Sequence, residues 1–372
     1  MTIYLCVFLG SLLSLKIAET KQNKKMIFFF WCAVAVLLPS VLAGMRAEGV
    51  GFDTALYGVV AYKYSLSHSL SDLLSIYVND SPLFYAIWYY SSSVFKTIFA
   101  PQFVLEFLIE ILIVGSLVKL LNNKEIKNMW VGFAVYLFVF YSYSLNIMRQ
   151  SLALALVLFG IIVFLREKKV LKYIICIIIS MLIHTSGFLG FVIWILYAIY
   201  YSQFYQNAKR RFIYNTLMVG LVLAFLVGYT RILSFVSIFL PRYEHYASTN
   251  IKVRSTFDAL TMFAMVALFI IISSLFLSRK NRKSDFLQVL VIMGIPIFLI
   301  NLYSNDTYRL SFYFLYCMIP LAPLKLYASN ASDNEKTNIK FLKLVLVFVL
   351  MFFWYVMFVK WGTNKVIPYA AF

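Results

Sequence analysis

Apolar residues gather along this chain in thirteen runs parted by short polar stretches: Ile3–Leu15, Met26–Ala43, Pro82–Phe99, Phe103–Leu121, Trp130–Leu145, Ser151–Leu165, Val170–Ile183, Gly187–Tyr201, Phe212–Gly228, Ala259–Leu277, Phe286–Ile300, Leu310–Leu324 and Phe341–Val359. Each holds about as many residues as a helix needs to cross a hydrocarbon core about 30 Å thick. The runs are rich in Leu, Ile, Phe and Val and do not alternate with a period of two, which excludes a barrel. The pattern predicts an all-α polytopic membrane protein. Two of the shorter runs flank His184–Gly187 ("HTSG"), each about 21 Å long as helix. They read either as two short helices meeting at a cavity or as one long tilted helix.

Composition strengthens this reading. Of the 372 residues 63% are hydrophobic and the mean hydropathy is +0.85, against about half apolar in a soluble domain. The net charge of +18 suggests nucleic acid only until its placement is considered. Of the 33 basic residues, 22 fall in six clusters between runs: Lys16–Lys25, Lys119–Lys127, Arg166–Lys172, Lys209–Arg211, Arg279–Lys283 and Lys325–Lys343. Short basic loops mark cytoplasmic faces, so the charge records topology and nucleic acid is set aside.

With these clusters inside, the chain emerges at Gly44, runs outside to about Asp80, and must cross an odd number of times before Lys119. One of the two runs between them, Pro82–Phe99 in preference, therefore reads as a re-entrant or interfacial helix. About twelve crossings remain, with both termini outside, and extracytoplasmic loops fall near 44–80 and 229–257. No linker divides residues 1–372, so the expectation is a single membrane domain, and a GT-C-like architecture is compatible with it. The first run lacks a preceding basic stretch and reads as a retained helix rather than a signal peptide. Cys6, Cys32, Cys176 and Cys317 lie inside apolar runs at no metal-like spacing and read as buried small hydrophobes.

Eleven basic residues stay outside the clusters, six of them arginines: Arg46, Arg149, Arg231, Arg242, Arg254 and Arg309. Nearly all fall on the outer side, against the positive-inside bias. An arginine at a membrane helix end must snorkel or find a partner, and its planar fork suits pyrophosphate and carboxylate. Several on one face suggest an anionic ligand. Glu106 and Glu110 sit four apart on one helical face within the membrane. They read as a proton or cation path, or as a buried pair matched by a basic residue such as Lys96 or Lys119. His68 looks like surface, His245 lies in the second outer loop, and His184 ends an apolar run. No metalloprotease, P-loop, CxxC or nucleophile-elbow motif occurs.

Four stretches resemble the EpsG/Wzy-type family of bacterial polysaccharide polymerases. Arg46-x4-Gly51-x-Asp53-x3-Tyr57 is similar to that family's signature after its second helix. "MRQSLALAL" (Met148–Leu156) is similar to its Arg-Gln-x-x-Ala helix start, "LIHTSGF" (Leu182–Phe188) to its Ile-His-x-Ser motif, and "YRLSFYF" with Pro320 to its closing arginine helix. Gly187 stands where the family commonly has Ala. The resemblance implies an enzyme that joins oligosaccharide repeat units carried on undecaprenyl pyrophosphate, without cofactor or metal. It places that enzyme in the bacterial inner membrane with its site facing outward. A flippase and a chain-length regulator are the partners implied.

Such chemistry needs cationic stabilisation of the leaving pyrophosphate and a base for the acceptor hydroxyl. The cations are assigned to Arg46, Arg149 and Arg309, with Arg242 as a fourth and Gln150 beside Arg149. For the base, Asp53 comes first, then Glu244 or His184, and His184 equally suits the orienting of a sugar. Tyr57, Tyr243 and Tyr246 are candidates for stacking on sugar rings or for the interfacial aromatic belt. Two other readings compete: a GT-C glycosyltransferase using a lipid-phosphate sugar, and a transporter or flippase of lipid-linked sugars, which the Glu106/Glu110 pair would serve.

Overall fold

The computed structural model describes residues 1–51, 54–76, 81–121, 128–202, 231, 234–235, 238, 256–274, 282–299, 307–326, 333–367, 369 and 371. Among them the chain is a helical bundle, and β pairing is confined to one bridge between Arg46 and Ala371. The helices α1 (Thr2–Thr20) and α2 (Lys25–Gly44) form a hairpin around a lysine-bearing turn. Pro39 lies inside α2 and offers no N–H. The Tyr141 hydroxyl donates to its carbonyl (2.8 Å), and the Ser40 hydroxyl donates back to Val36 O (2.7 Å).

A π turn (Thr54–Gly58) leads into α3 (Val59–Ser65), followed by α4 (Leu70–Ile76), α5 (Pro82–Phe95) and α6 (Phe99–Leu121). The outer segment read as a loop is therefore partly helical. α4 begins with a reciprocal capping arrangement, in which Ser69 N–H donates to Asp72 Oδ2 (3.0 Å) and Asp72 N–H to Ser69 Oγ (3.3 Å). The Ser69 hydroxyl and amide hold the exposed Asp72 carboxyl below its ordinary value. α5 is bounded sharply by Ser81 and Lys96, both at positive φ, with Pro82 at its first turn. Where α2 ends, Gly44 packs so tightly on Phe99 and Phe103 that a β-carbon there would lie 2.6 Å from the Phe99 ring. Gly44 and Phe99 thus lie side by side at the same end of the bundle.

The middle of the bundle is α7 (Met129–Val135), a π turn (Tyr136–Phe140) and α8 (Tyr141–Ser144). Every residue from Val131 to Met148 is buried, as befits a helix apolar all round. Next comes α9 (Met148–Glu167), joined through Lys168 at positive φ to α10 (Val170–Ile183), then a 3-10 turn (Thr185–Phe188) and α11 (Leu189–Tyr201). α11 folds back along α10: the Tyr173 hydroxyl donates to Gly190 O (2.7 Å), and Lys168 lies over the Tyr197 and Tyr201 rings at 4.8 and 5.1 Å. The two short runs around "HTSG" are a helical hairpin, not one tilted helix.

Later come α12 (Thr256–Ser274), α13 (Arg282–Leu299), a 3-10 turn (Thr307–Ser311), α14 (Phe312–Leu315), α15 (Met318–Lys325) and α16 (Asp333–Trp354). A last π turn (Tyr355–Lys360) passes into a short tail. Among the described residues, four helices have the length and apolarity to cross a membrane: Thr2–Thr20, Lys25–Gly44, Met148–Glu167 and Thr337–Lys360. Shorter apolar helices accompany them at Met129–Ser144, Val170–Ile183, Thr185–Tyr201 and Leu260–Ile272. The protein is a polytopic α-helical membrane protein.

The two ends of the bundle differ chemically. At one, described residues of three of the basic clusters are tied to acids, carbonyls and an amide. Glu167 pairs with Lys119 and with Lys172 (2.9 Å), Arg166 donates to Leu120 O (3.0 Å), Lys325 pairs with Asp285 (2.9 Å), and Lys343 donates to Asn128 Oδ1 (2.8 Å). The Lys209–Arg211 cluster lies outside the described residues. Of the four free thiols, Cys32 and Cys317 are buried as expected and Cys176 is half-buried, whereas Cys6 is exposed on the outside of α1.

Candidate functional site

The opposite end of the bundle gathers the sequence motifs. Met148 and Arg149 open α9, and Arg149 lies over the Tyr57 ring (4.4 Å to its centroid) with Tyr85 of α5 at 5.9 Å. One face of Tyr57 is therefore taken by a guanidinium, and its hydroxyl donates to Asn146 O (3.5 Å). The adjacent Gln150 is buried and donates through Nε2 to Arg309 O (3.1 Å), tying the start of α9 to the 3-10 turn that carries Arg309. Two arginine-bearing segments 160 positions apart are thus fixed side by side by one amide hydrogen bond.

Tyr313, in α14 just after Arg309, reaches the turn of the α10–α11 hairpin, with its hydroxyl 3.0 Å from Ser186 Oγ. Ser186 Oγ is in turn 2.6 Å from His184 Nδ1, and the Ser186 amide also donates to Nδ1 (3.3 Å). His184 is the residue that starts the 3-10 turn, and its ring nitrogen satisfies an amide that would otherwise be orphaned there. Ser180, one turn before His184, donates to Ala153 O of α9 (3.0 Å), locking the hairpin beside the Arg149 helix. Gly187 is required in this chain: a β-carbon would meet Ser180 Oγ at 2.5 Å, Ser180 C at 2.7 Å and Met181 N at 2.8 Å.

Arg46 is placed differently from the other two arginines. Only 1% exposed, it donates through Nη2 to Thr54 Oγ1 (3.2 Å) and lies 3.0 Å from Met148 Sδ, while Nε has no partner among the described residues. Burial pushes its guanidinium down from the ordinary value and the Glu106 carboxylate holds it up; an arginine starting so high remains charged. The Gln102 amide nitrogen, in the orientation the surrounding carbonyls require, donates to Ala43 O (3.1 Å), Gly44 O (3.1 Å) and Arg46 O (3.2 Å). It caps the carbonyls that α2 leaves open.

One turn deeper along α6, Glu106 accepts from the Tyr136 hydroxyl and from Ser144 Oγ, which is 2.8 and 3.0 Å from its two oxygens. Glu110, fully buried, accepts from Ser40 Oγ (2.8 Å), and its Oε1 has no partner among the described residues. The pair faces the interior as anticipated; hydroxyls bond it, and the basic residue that faces Glu106 is Arg46 rather than Lys96 or Lys119. Lys119 is drawn instead to Glu167 at the far end, and Lys96 caps α5.

The tail forms part of the same end. Gly51 N–H donates to Lys365 O (3.3 Å), Asn146 Nδ2 to Asn364 Oδ1 (3.2 Å), Tyr4 OH to Val366 O (3.0 Å) and Tyr369 OH to Leu42 O (2.9 Å). Gly51, at φ +90 with Leu145 O 2.7 Å from any β-carbon, is a true requirement, while Gly49 has nothing within 4 Å of that position and is exposed. The structure therefore brings Arg46, Tyr57, Arg149, Gln150, His184 and Arg309 to one end. Asp53, Arg242, Tyr243, Glu244 and Tyr246 lie outside the described residues. Thr54, Gln102, Ser186, Tyr313 and the tail are participants that sequence patterning does not single out. Ser186 and Tyr313 carried a signal, as the serine of the Ile-His-x-Ser motif and as a residue of the "YRLSFYF" stretch.

The bundle is that of a polytopic membrane protein whose salt-bridged lysines Lys119, Lys172 and Lys325 lie at one end, and whose Arg149, Arg309, His184 and several tyrosines are held together at the other. The profile of the EpsG family matches residues 28–371, nearly the whole length, and the chain belongs to that family of Wzy-type polysaccharide polymerases. No curated protein and no solved structure is matched by the chain.

Proposed function

We propose that this polysaccharide polymerase joins oligosaccharide repeat units carried on undecaprenyl pyrophosphate, at the extracytoplasmic face of the bacterial inner membrane. The single observation that carries the reading is the joining of the Arg149 and Arg309 segments through Gln150, at the end of the bundle opposite the lysine belt. The positive-inside rule turns that opposition into sidedness.

In the proposed reaction an acceptor sugar hydroxyl attacks the anomeric carbon of the donor chain. The bond from that carbon to the pyrophosphate oxygen breaks, and its electron pair stays on the leaving pyrophosphate. The hydroxyl proton passes to a carboxylate, with Asp53 first and Glu244 second. Arg149 and Arg309 stabilise the charge developing on the leaving group, a role for which the guanidinium fork is suited. Tyr57 and Tyr85 hold the Arg149 plane by cation–π contact, limiting the side-chain freedom lost on binding. Arg46, buried beneath, adds its field and fixes the start of α9 through Met148. Arg242 and Tyr246 are assigned to sugar and pyrophosphate contacts from the second outer loop. A flippase supplying the lipid-linked units and a regulator of chain length are the partners this role calls for.

The test is the purified protein reconstituted with lipid-linked repeat units. A ladder of products is expected from the wild type, and none from Arg149→Ala or Arg309→Ala at equal membrane insertion. Normal long-chain polymer from both variants would sink the reading. A single addition would mark a glycosyltransferase, and bilayer passage without any product a transporter. Asp53→Asn is expected to be inactive; full activity would move the base elsewhere.

A further inference from the structure

Glu106 and Glu110 are buried in α6, and the proposed reaction uses neither. Counting hydrogens separates them. Ser40 has one hydroxyl hydrogen, and two oxygens face it: Val36 O at 2.7 Å and Glu110 Oε2 at 2.8 Å. Glu110 Oε1 has no partner among the described residues. As a carboxylate, the fully buried Glu110 would hold two oxygens on one shared hydrogen, and burying a charge without donors is strongly unfavourable. A proton on Oε2 resolves the count. The carboxyl then donates to Ser40 Oγ, Ser40 donates to Val36 O, and the oxygen left over is a neutral carbonyl.

Glu106 has the opposite surroundings. The Tyr136 hydroxyl donates to it, Ser144 Oγ is 2.8 and 3.0 Å from its two oxygens, and the Arg46 guanidinium faces it. Tyr141 O also claims the Ser144 hydrogen (2.7 Å), so Tyr136 and Arg46 decide the matter. Among the described residues Arg46 is the cation that faces Glu106, whereas the charged group that faces Glu110 is Glu106 itself. The other ionisable groups around the pair are the phenols of Tyr136, Tyr141 and Tyr316, which are neutral near pH 7. Two carboxylates against one guanidinium would leave a net negative charge in the interior. Two neutral acids would leave the buried Arg46 unbalanced. One proton for two carboxyls balances the set.

We infer that Glu106 and Glu110 form a buried one-proton site with the proton resident on Glu110, and that ionised Glu106 is a positioning residue, holding Arg46 against Thr54 and Met148 where α9 begins. The chain of donors from Glu110 ends on a helix carbonyl, which has no hydrogen to pass on. The pair is therefore a fixed counter-charge and not a proton path, which removes the best support for a transporter. Its effect on turnover rests on the role proposed for Arg149, the neighbour of Met148.

Glutamine separates the two residues, because an amide imitates a protonated carboxyl and not a carboxylate. In the ladder assay Glu110→Gln should keep kcat within about twofold of wild type. Glu106→Gln should lower kcat at least about tenfold with KM little changed, as displaced catalytic groups do, and Glu106→Asp should recover part of the loss. In infrared difference spectra, wild type minus Glu110→Gln should show the C=O stretch of a protonated carboxyl, and wild type minus Glu106→Gln the bands of a carboxylate. Unfolding in detergent should show Arg46→Met and Glu106→Gln coupled by at least about fivefold in the folded-to-unfolded ratio, and Arg46→Met and Glu110→Gln additive within about twofold. Exchanged infrared bands, a Glu110→Gln protein as impaired as Glu106→Gln, or additivity of Arg46 with Glu106 each overturns the inference. A wild type that makes no ladder overturns the substrate reading instead, and the infrared and unfolding arms, which need no substrate, still decide the charge assignment.

Discussion

Gly187→Ala is the most demanding test of how the His184 turn is built. The added methyl would sit 2.5 Å from Ser180 Oγ, 2.7 Å from Ser180 C and 2.8 Å from Met181 N. A flexible side chain could swing away, but two of the three atoms belong to the backbone of α10, so the turn itself has to lift. Ser180 cannot retreat cheaply either, since its hydroxyl is bonded to Ala153 O at 3.0 Å. Overpacking of this kind costs about 1–3 kcal/mol, or about 5- to 150-fold in the ratio of folded to unfolded protein. Thermal unfolding in detergent should show a lower midpoint, and the ladder assay a lower kcat, because the lifted turn carries His184 away from Tyr313. Ser180→Gly in the same chain should relieve only part of the cost, as the two backbone contacts remain. A Gly187→Ala protein with unchanged midpoint and turnover would refute this reasoning.

Other expectations follow the same contacts. Gly51→Ala should destabilise, because φ +90 and the Leu145 carbonyl both oppose a side chain, whereas Gly49→Ala should stay within about 0.5 kcal/mol of wild type; equal midpoints for the two would contradict the account. Arg149→Lys keeps the charge but loses the fork over Tyr57, so kcat should drop at least tenfold in the ladder assay, and full retention would show that charge alone suffices. Asn364→Ala removes the partner of Asn146 and should loosen the tail, opening residues 46–51 to limited proteolysis; unchanged cleavage would argue that the tail is merely attached. Glu106→Gln places an N–H among the donors Tyr136 and Ser144, a loss of about 1–3 kcal/mol read as a lower unfolding midpoint.

Particular residues show where sequence reasoning reached its limit. The lysine clusters, the apolar runs and the break at "HTSG" each follow from local composition, because membrane insertion responds to local hydrophobicity and charge. Arg46 belongs to a motif resembling that of its family, yet the fold buries it under Met148 while Arg149 and Arg309 remain partly exposed. Its depth depends on how α2 ends and on Gln102, a residue in another helix. Glu106 and Glu110 were legible as an inward-facing pair from their spacing. Their partners were not, since Ser40, Tyr136 and Ser144 come from two other helices and carry no charge pattern.

By itself, then, the sequence determined the class of the protein, and its motifs named residues that the fold brings to one end of the bundle. Hydropathy and basic loops act over single helices, so these features need no tertiary information. Only the tertiary structure decided that Gln150 binds the Arg309 segment, that the tail closes on Gly51, and that Tyr313 meets Ser186 beside His184. Each of those rests on directional hydrogen bonds between residues tens to hundreds of positions apart. Such pairings leave no period in the chain and exist only once the helices have packed.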